Sequence, residues 1–162
     1  MPRSRTWVEP SARIPLRWGT HRERIIAGLM LILAGGIGLA GTNNWTLPLL
    51  AAGTITHVVG WSILPAAGWR RMLAIVPGLV QIWLLLTGPQ AMWTFALGLA
   101  GWLLARHRPP RAWPVLALPI ANAVIMPELF EEYSGMPAAL AISLAVTVAS
   151  GWLARGIAST VR

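Results

Sequence analysis

The sequence predicts an all-α protein, a polytopic transmembrane helical bundle of about six short spans with both termini in the cytoplasm. Its 162 residues are 56% hydrophobic and only 11% charged, and the mean hydropathy is +0.61. This composition leaves too little polar surface to cover a domain of this size in water. The charges are also confined to short intervals between apolar stretches, whereas a soluble helical protein spreads them over every helix.

Six apolar stretches without a charged residue are the predicted spans. They cover residues 25–41, 45–67, 72–87, 91–105, 113–126 and 138–154. The hydrocarbon core of a bilayer is about 30 Å thick and needs about 20 helical residues. Several stretches are shorter than this, so flanking Trp, Thr and Gly residues must extend them.

Residues 1–24 are predicted to form a basic arm on the cytoplasmic face. The arm contains two tryptophans, Trp7 and Trp18, and six arginines: Arg3, Arg5, Arg13, Arg17, Arg22 and Arg24. Such a segment suits the surface of an anionic leaflet, with the indole rings at headgroup level. A cleaved signal peptide is the alternative for residues 25–41, but the arm is long and no clear cleavage site follows.

The placement of the arginines tests the number of spans independently. All 13 basic residues are Arg, and they lie before the first stretch, in every second connection and after the sixth stretch. The three other connections contain no basic residue, which is the alternation expected of a chain that crosses six times. If residues 113–126 did not cross, Arg155 and the tail at 156–162 would lie outside, against this bias. We expect a multi-pass protein of a bacterial inner (plasma) membrane.

The cytoplasmic connections contain candidate contacts for anionic lipid headgroups. Their arginines are Arg70, Arg71, Arg106, Arg108 and Arg111. Guanidinium groups pair with phosphates bidentately, although membrane orientation alone also explains these residues. A net charge of +8 can indicate a nucleic acid partner, but positive-inside topology predicts the same excess. We therefore expect the lipid bilayer, and no nucleic acid, as the partner.

Three helices are predicted to place a polar residue near the middle of the membrane. They are His57 in the second span, Gln81 in the third and Asn122 in the fifth. Ionisable groups at this depth are costly, and Thr54 adds a hydroxyl to the face of His57. These four residues could line a substrate or ion pathway, or their hydrogen bonds could simply hold the bundle together.

Small residues and Gly-Trp pairs predict how the helices meet. Ala34 and Gly38 in the first span, and Ala141, Ala145 and Ala149 in the sixth, allow close backbone approach within the chain or between copies. Gly-Trp recurs at 60–61, 101–102 and 151–152 near the cytoplasmic ends of three spans. The pairs indicate either an interfacial aromatic belt or three duplicated hairpins.

Residues 127–137 are predicted to form an acidic outer loop. Pro127 to Gly135 is typical of a short interfacial helix, with Pro in its first turn and Gly at its end. The spacing of Glu128, Glu131 and Glu132 places the three carboxylates on one face. They could capture a cation or an amine, or merely be solvated. Without Asp or a nearby His, the signal for a metal is weak.

No motif of a soluble enzyme occurs in the chain. There is no Cys, which excludes thiolate chemistry and disulfides, and there is no P-loop, GxSxG or HExxH sequence. We expect no cofactor. The sequence favours a small transporter or channel with a pathway past the midplane residues. The alternatives are an accessory or assembly subunit of a larger membrane complex and, third, a lipid-modifying membrane enzyme. The expected protein partners are further copies of the chain or the subunits of such a complex.

Overall fold

The computed structural model describes residues 9–16 and 18–160, and this part of the chain is helical without a β-strand. The six α-helices described are α1 (His21–Ala40), α2 (Pro48–Ile63), α3 (Gly68–Leu84), α4 (Thr94–Ala105), α5 (Ala117–Leu129) and α6 (Met136–Ser159). Short 3-10 segments lie at Pro10–Arg13, Leu85–Thr87, Pro89–Trp93, Pro110–Leu116 and Tyr133–Gly135. The all-α prediction is confirmed, whereas Arg3, Arg5, Trp7, Arg17 and Arg162 of the predicted arm and tail lie outside the described residues.

Four helical segments of the described chain are long and apolar enough to cross a membrane. They are His21–Ala40, Gly68–Thr87, Pro110–Leu129 and Met136–Ser159. Helix α2 is apolar but has 16 residues, and α4 has 12. At 1.5 Å per residue, α4 alone reaches about 18 Å, which is less than the thickness of the hydrocarbon core. Six crossings and the positions of the termini therefore remain predictions.

Helix α1 begins four residues before the predicted apolar stretch because a capping box fixes its start. The Glu23 backbone N–H donates to Thr20 Oγ1 at 3.3 Å, and the Thr20 N–H donates to Glu23 Oε2 at 2.8 Å. Two otherwise unpaired backbone donors are thereby satisfied. Arg22 and Arg24, which were predicted to belong to the arm, therefore lie in the first turn of α1.

Glycines bring the antiparallel helices α1 and α2 into backbone contact. A Cβ atom added to Gly28 would lie 2.9 Å from Gly60 O, and one added to Gly60 would lie 2.7 Å from Ile32 N. Gly35 faces Gly53 and His57 in the same way. Such close approach replaces side-chain packing where lipid supplies no hydrophobic drive between helices.

Helix α4 lies at the centre of the bundle, between α3 and α6. It buries Phe95 in a hydrophobic cluster shared with α5 and α6, and Leu99 and Leu103 in another shared with the 3-10 segment Pro110–Leu116 and α6. The shortest helix is thus the one most enclosed by protein, which is consistent with its limited length.

The predicted small-residue contacts are wrong for Ala34 and, within the chain, for α6. Ala34 is exposed, and so are all three predicted alanines of α6, Ala141, Ala145 and Ala149. Helix α6 instead buries Ala139, Ser143, Ser150, Ala154 and Ala158. The hydrogen bond between Ser143 and α5 fixes this rotation and turns the alanine stripe outward.

The outer segment differs from the predicted interfacial helix. Pro127 lies in the last turn of α5, the chain leaves the helix at Phe130, and a separate 3-10 turn follows at Tyr133–Gly135. Phe130 turns inward against a buried methionine-rich cluster and covers Gly135. Glu131 and Glu132 therefore lie in the short connection between α5 and this 3-10 turn.

Candidate functional site

His57 is buried at the contact between α1 and α2, with 3% of its surface exposed. Its Nδ1 lies 3.1 Å from Ile32 O, and its Nε2 lies 2.9 Å from Trp61 Nε1. An indole N–H can only donate, so Nε2 accepts and the proton of a neutral imidazole resides on Nδ1. The Nδ1 contact therefore joins α2 to α1, whereas the Nε2 contact lies within α2, and a single tautomer makes both.

Trp61 extends this contact from α2 to α3 and α4. A Cβ on Gly78 would lie 2.9 Å from Trp61 Cε2, and a Cβ on Gly101 would lie 3.3 Å from Trp61 Cη2. The indole is 4% exposed, whereas Trp152 of another Gly-Trp pair is 71% exposed. The Gly-Trp pairs are thus not equivalent, and Trp61 is a buried link between helices instead of part of an interfacial belt.

The other predicted midplane residues each contact a different neighbour. Asn122 Nδ2 donates to Ser143 Oγ at 2.8 Å and joins α5 to α6. The Gln81 amide lies against the bare backbone of Gly98, where any Cβ would overlap it. Thr54 Oγ1 donates to Leu50 O of its own helix at 2.7 Å.

No hydrogen bond joins His57, Gln81 and Asn122 to one another in the described part of the chain. Two surface pockets lie elsewhere on the bundle, and none of these three side chains lines either of them. No carboxylate of residues 9–16 or 18–160 is hydrogen-bonded to His57. A shared pathway through the midplane residues stays a prediction.

The outer carboxylates have different surroundings. Glu131 lines a pocket of about 300 Å³ together with Thr87, Gln90 and Phe130. Glu128 and Glu132 are exposed, and Glu132 Oε2 accepts a hydrogen bond from Ser134 Oγ at 3.2 Å. Among the described residues, no group of three His, Cys, Asp or Glu side chains could hold a metal ion.

Arg106 and Arg108 are paired with a carboxylate from the N-terminal arm. Both guanidinium groups bind Glu9, Arg106 through Oε2 and Arg108 through Oε1 at 2.9 Å, and their side chains are 8% and 3% exposed. Arg106 also lies 5.3 Å from the Trp102 ring centroid and 3.3 Å from His21 Nε2. We call Glu9, Arg106, Arg108 and His21 the Glu9 clasp.

Electrostatics explain why the clasp needs its carboxylate. Burial lowers the pKa values of Arg106 and Arg108, and the negative charge of Glu9 opposes this shift. The lipid-headgroup role predicted for these two arginines does not fit their burial, whereas Arg111 in the same connection is exposed. Sequence reasoning missed Glu9, although it is the sole acidic residue among the first 20.

Neither a known protein family nor a curated protein or solved structure matches the chain. No function therefore passes to it from a relative. Its function has to be inferred from the contacts of its own residues.

His107 predicts a pH dependence at the same end of the bundle. The Ala67 N–H donates to His107 Nε2 at 3.3 Å, which requires an unprotonated nitrogen. Burial and then the charge of Arg70 lower the pKa of His107. A lowered pKa means that this stabilisation is fully present above the unfolded value of about 6.5 and is lost as the pH falls below it.

We expect the thermal midpoint of unfolding in detergent to decrease when the pH is lowered from 7.5 to 5.5. The hydrogen bond of His107 should account for a loss on the order of 1 kcal/mol in the free energy of unfolding. His107→Asn is the informative variant because Asn tolerates the positive φ of 55° at this position. The difference between wild type and variant should shrink on acidification. A difference that does not change with pH would contradict this role of His107.

Proposed function

We propose that this chain is an integral protein of the bacterial inner membrane and acts as an accessory or assembly subunit of a larger membrane complex. The observation that carries the proposal is the use of buried polar groups. His57 pairs with Trp61 and Asn122 pairs with Ser143, so these groups stabilise the bundle internally. The outer faces are left for lipid and for the helices of partner proteins.

The outward side chains support the membrane assignment. Met30, Ile37 and Val124 are large and apolar and are 64%, 72% and 70% exposed. A soluble monomer rarely exposes such side chains on several helices at once. Together with the alternating arginines, they favour a bundle surrounded by lipid, with both termini in the cytoplasm and anionic lipids at that face.

Two measurements test the proposal. Membranes from cells expressing the chain are washed with alkaline carbonate, and the protein is expected to stay in the pellet. Native mass spectrometry after extraction in a mild detergent should then show the chain in a stoichiometric complex with other membrane subunits. A protein that stays monodisperse in detergent-free buffer would contradict membrane insertion. A chain that is always isolated alone, or only with copies of itself, would contradict the accessory role.

Transport is the second candidate, with Glu131 at the mouth of the predicted pathway. The pocket that this carboxylate lines lies beside the Thr87–Gln90 turn, on the predicted outer side. Proton entry into proteoliposomes, followed with a trapped pH-sensitive dye, tests the idea directly. Transport requires a flux that depends on His57, Gln81 and Asn122, and empty liposomes supply the baseline.

His57→Ala separates a structural role from a transport role. We expect it to lower the free energy of unfolding by about 1–3 kcal/mol, because it leaves the buried Trp61 N–H without an acceptor. Adding Trp61→Phe should recover part of this loss, since both polar partners are then gone. Thr56→Ala is the matched control, because this hydroxyl bonds only within α2. Unchanged stability with abolished proton flux would favour transport instead.

A further inference from the structure

A second pocket lies where the N-terminal arm meets the α2–α3 connection. It measures about 430 Å³, which is within the range of small-ligand sites. Its apolar walls include Ile14, Leu16 and Val59, and its polar side includes Arg24 and Arg71. The midplane residues, the acidic outer loop and the Glu9 clasp contribute no residue to this lining.

Arg24 presents a buried positive charge in this pocket. The residue is 6% exposed, and its Nε donates to Ile63 O at 2.8 Å, at the end of α2. In the described part of the chain this is its one hydrogen bond, so the two terminal nitrogens have room for a ligand. Its guanidinium carbon lies 4.9 Å from the Trp18 ring centroid, which fixes the plane of the group.

The start of α3 adds backbone donors to the two guanidinium groups. Gly68 lines the pocket, and the N-terminus of α3 has no side-chain cap, although the Ala67 N–H before it is bonded to His107 Nε2. A Cβ on Gly68 would meet nothing within 4 Å, so the open space reaches the backbone. Unpaired N–H groups and the helix dipole both favour an anion at such a position.

We propose that this pocket binds the phosphate of an anionic phospholipid headgroup, between Arg24 and Arg71. The proposal rests on the membrane insertion proposed above and assigns the lipid contact to a different place from the Arg106–Arg111 connection. Paired guanidinium groups suit a phosphate, and the apolar walls suit the glycerol and upper acyl chains. Trp18, half exposed at the rim, has the amphipathic ring typical of headgroup depth.

The test compares the purified full chain in nanodiscs of phosphatidylglycerol and of phosphatidylcholine. We expect a higher thermal midpoint in phosphatidylglycerol, and retention of that lipid in native mass spectra after detergent exchange. Arg71→Gln should weaken retention about tenfold through loss of one charge-assisted contact. Arg24→Gln should do the same, but it also removes the bond to Ile63, so Arg71→Gln carries the conclusion.

Arg22→Gln is the matched control, since Arg22 lies in the same turn as Arg24 but is exposed and outside the pocket lining. Equal retention by wild type and Arg71→Gln would overturn the lipid site. An equal rise in midpoint with inorganic phosphate, without lipid retention, would overturn the lipid assignment. Carbonate extraction of membranes from cells expressing the same variants is a separate readout, because it reports membrane insertion alone. A variant that stays in the pellet but retains no lipid therefore tests the lipid site independently of the proposed function.

Discussion

Replacing Glu9 by Gln is expected to lower the free energy of unfolding by about 3–5 kcal/mol, as for other buried ion pairs that lose one partner. Two guanidinium groups, those of Arg106 and Arg108, share this carboxylate in a nearly dry site. Without it, both cations stay buried beside each other and beside Arg155, whose charge already lowers their pKa values. The arm should then detach from the connection between α4 and α5.

The measurement is unfolding in mild detergent, by heat or by titration with a denaturing detergent. Glu128→Gln is the matched control because it makes the same chemical change at an exposed carboxylate, and it should alter stability by less than about 0.5 kcal/mol. Proteolysis of the arm gives a second readout, since release of residues 9–16 should speed cleavage there. Equal effects of the two substitutions would show that the Glu9 clasp contributes nothing to stability.

The Glu9 clasp is a long-range contact that could not be predicted from the sequence. The apolar stretches predicted the all-α class. Of the small residues predicted to allow close backbone approach, Gly38 faces Gly53, with an added Cβ 3.6 Å from Gly53 Cα, whereas Ala34 and the alanines of α6 are exposed. The pairing of Glu9 with Arg106 spans almost a hundred residues of chain, and no local pattern encodes such a contact. Counting charges favours exposed arginines over a buried ion pair, because positive-inside orientation alone explains a basic connection in a membrane protein.

The midplane residues illustrate a different limit. Their depth in the helices could be counted along the chain, and His57 and Asn122 are buried as a functional or structural role requires. Which neighbour each one faces depends on helix rotation, which composition does not determine. Trp61 follows His57 by four residues on the same helix face, so this partner is within reach of sequence spacing. The partners Ile32 and Ser143, in contrast, emerge only when the helices are packed. The alanines of α6 failed as a prediction of contacts within the chain for the same reason.

The Thr20–Glu23 capping box and the glycine spacing were visible in the sequence and carried more information than was drawn from them. Gly28 and Gly35 are seven residues apart, as are Gly53 and Gly60. A spacing of seven places both members of each pair on one helix face. Matching pairs on consecutive helices indicate the α1–α2 contact that the structure contains.

Gly35→Ala is the second substitution with a large expected effect, a loss of about 1–3 kcal/mol from overpacking. The added Cβ would lie 2.6 Å from Gly53 O, 2.7 Å from His57 N and 2.8 Å from His57 Cβ. Two of these atoms belong to the backbone of α2, so no rotamer change can relieve the clash. The helices have to separate, which also lengthens the contact between His57 Nδ1 and Ile32 O.

Gly36→Ala is the control that isolates this cause, because a Cβ on the adjacent glycine meets nothing within 4 Å. Alanine is the better helix former, so Gly36→Ala should leave stability unchanged or raise it by up to about 1 kcal/mol. The two variants have the same composition and differ only in the helix face that carries the methyl group. A shared loss of stability in the denaturing-detergent titration would mean that α1 and α2 do not meet through Gly35. Opposite signs would establish that contact, and with it the enclosure of His57 on which its structural role depends.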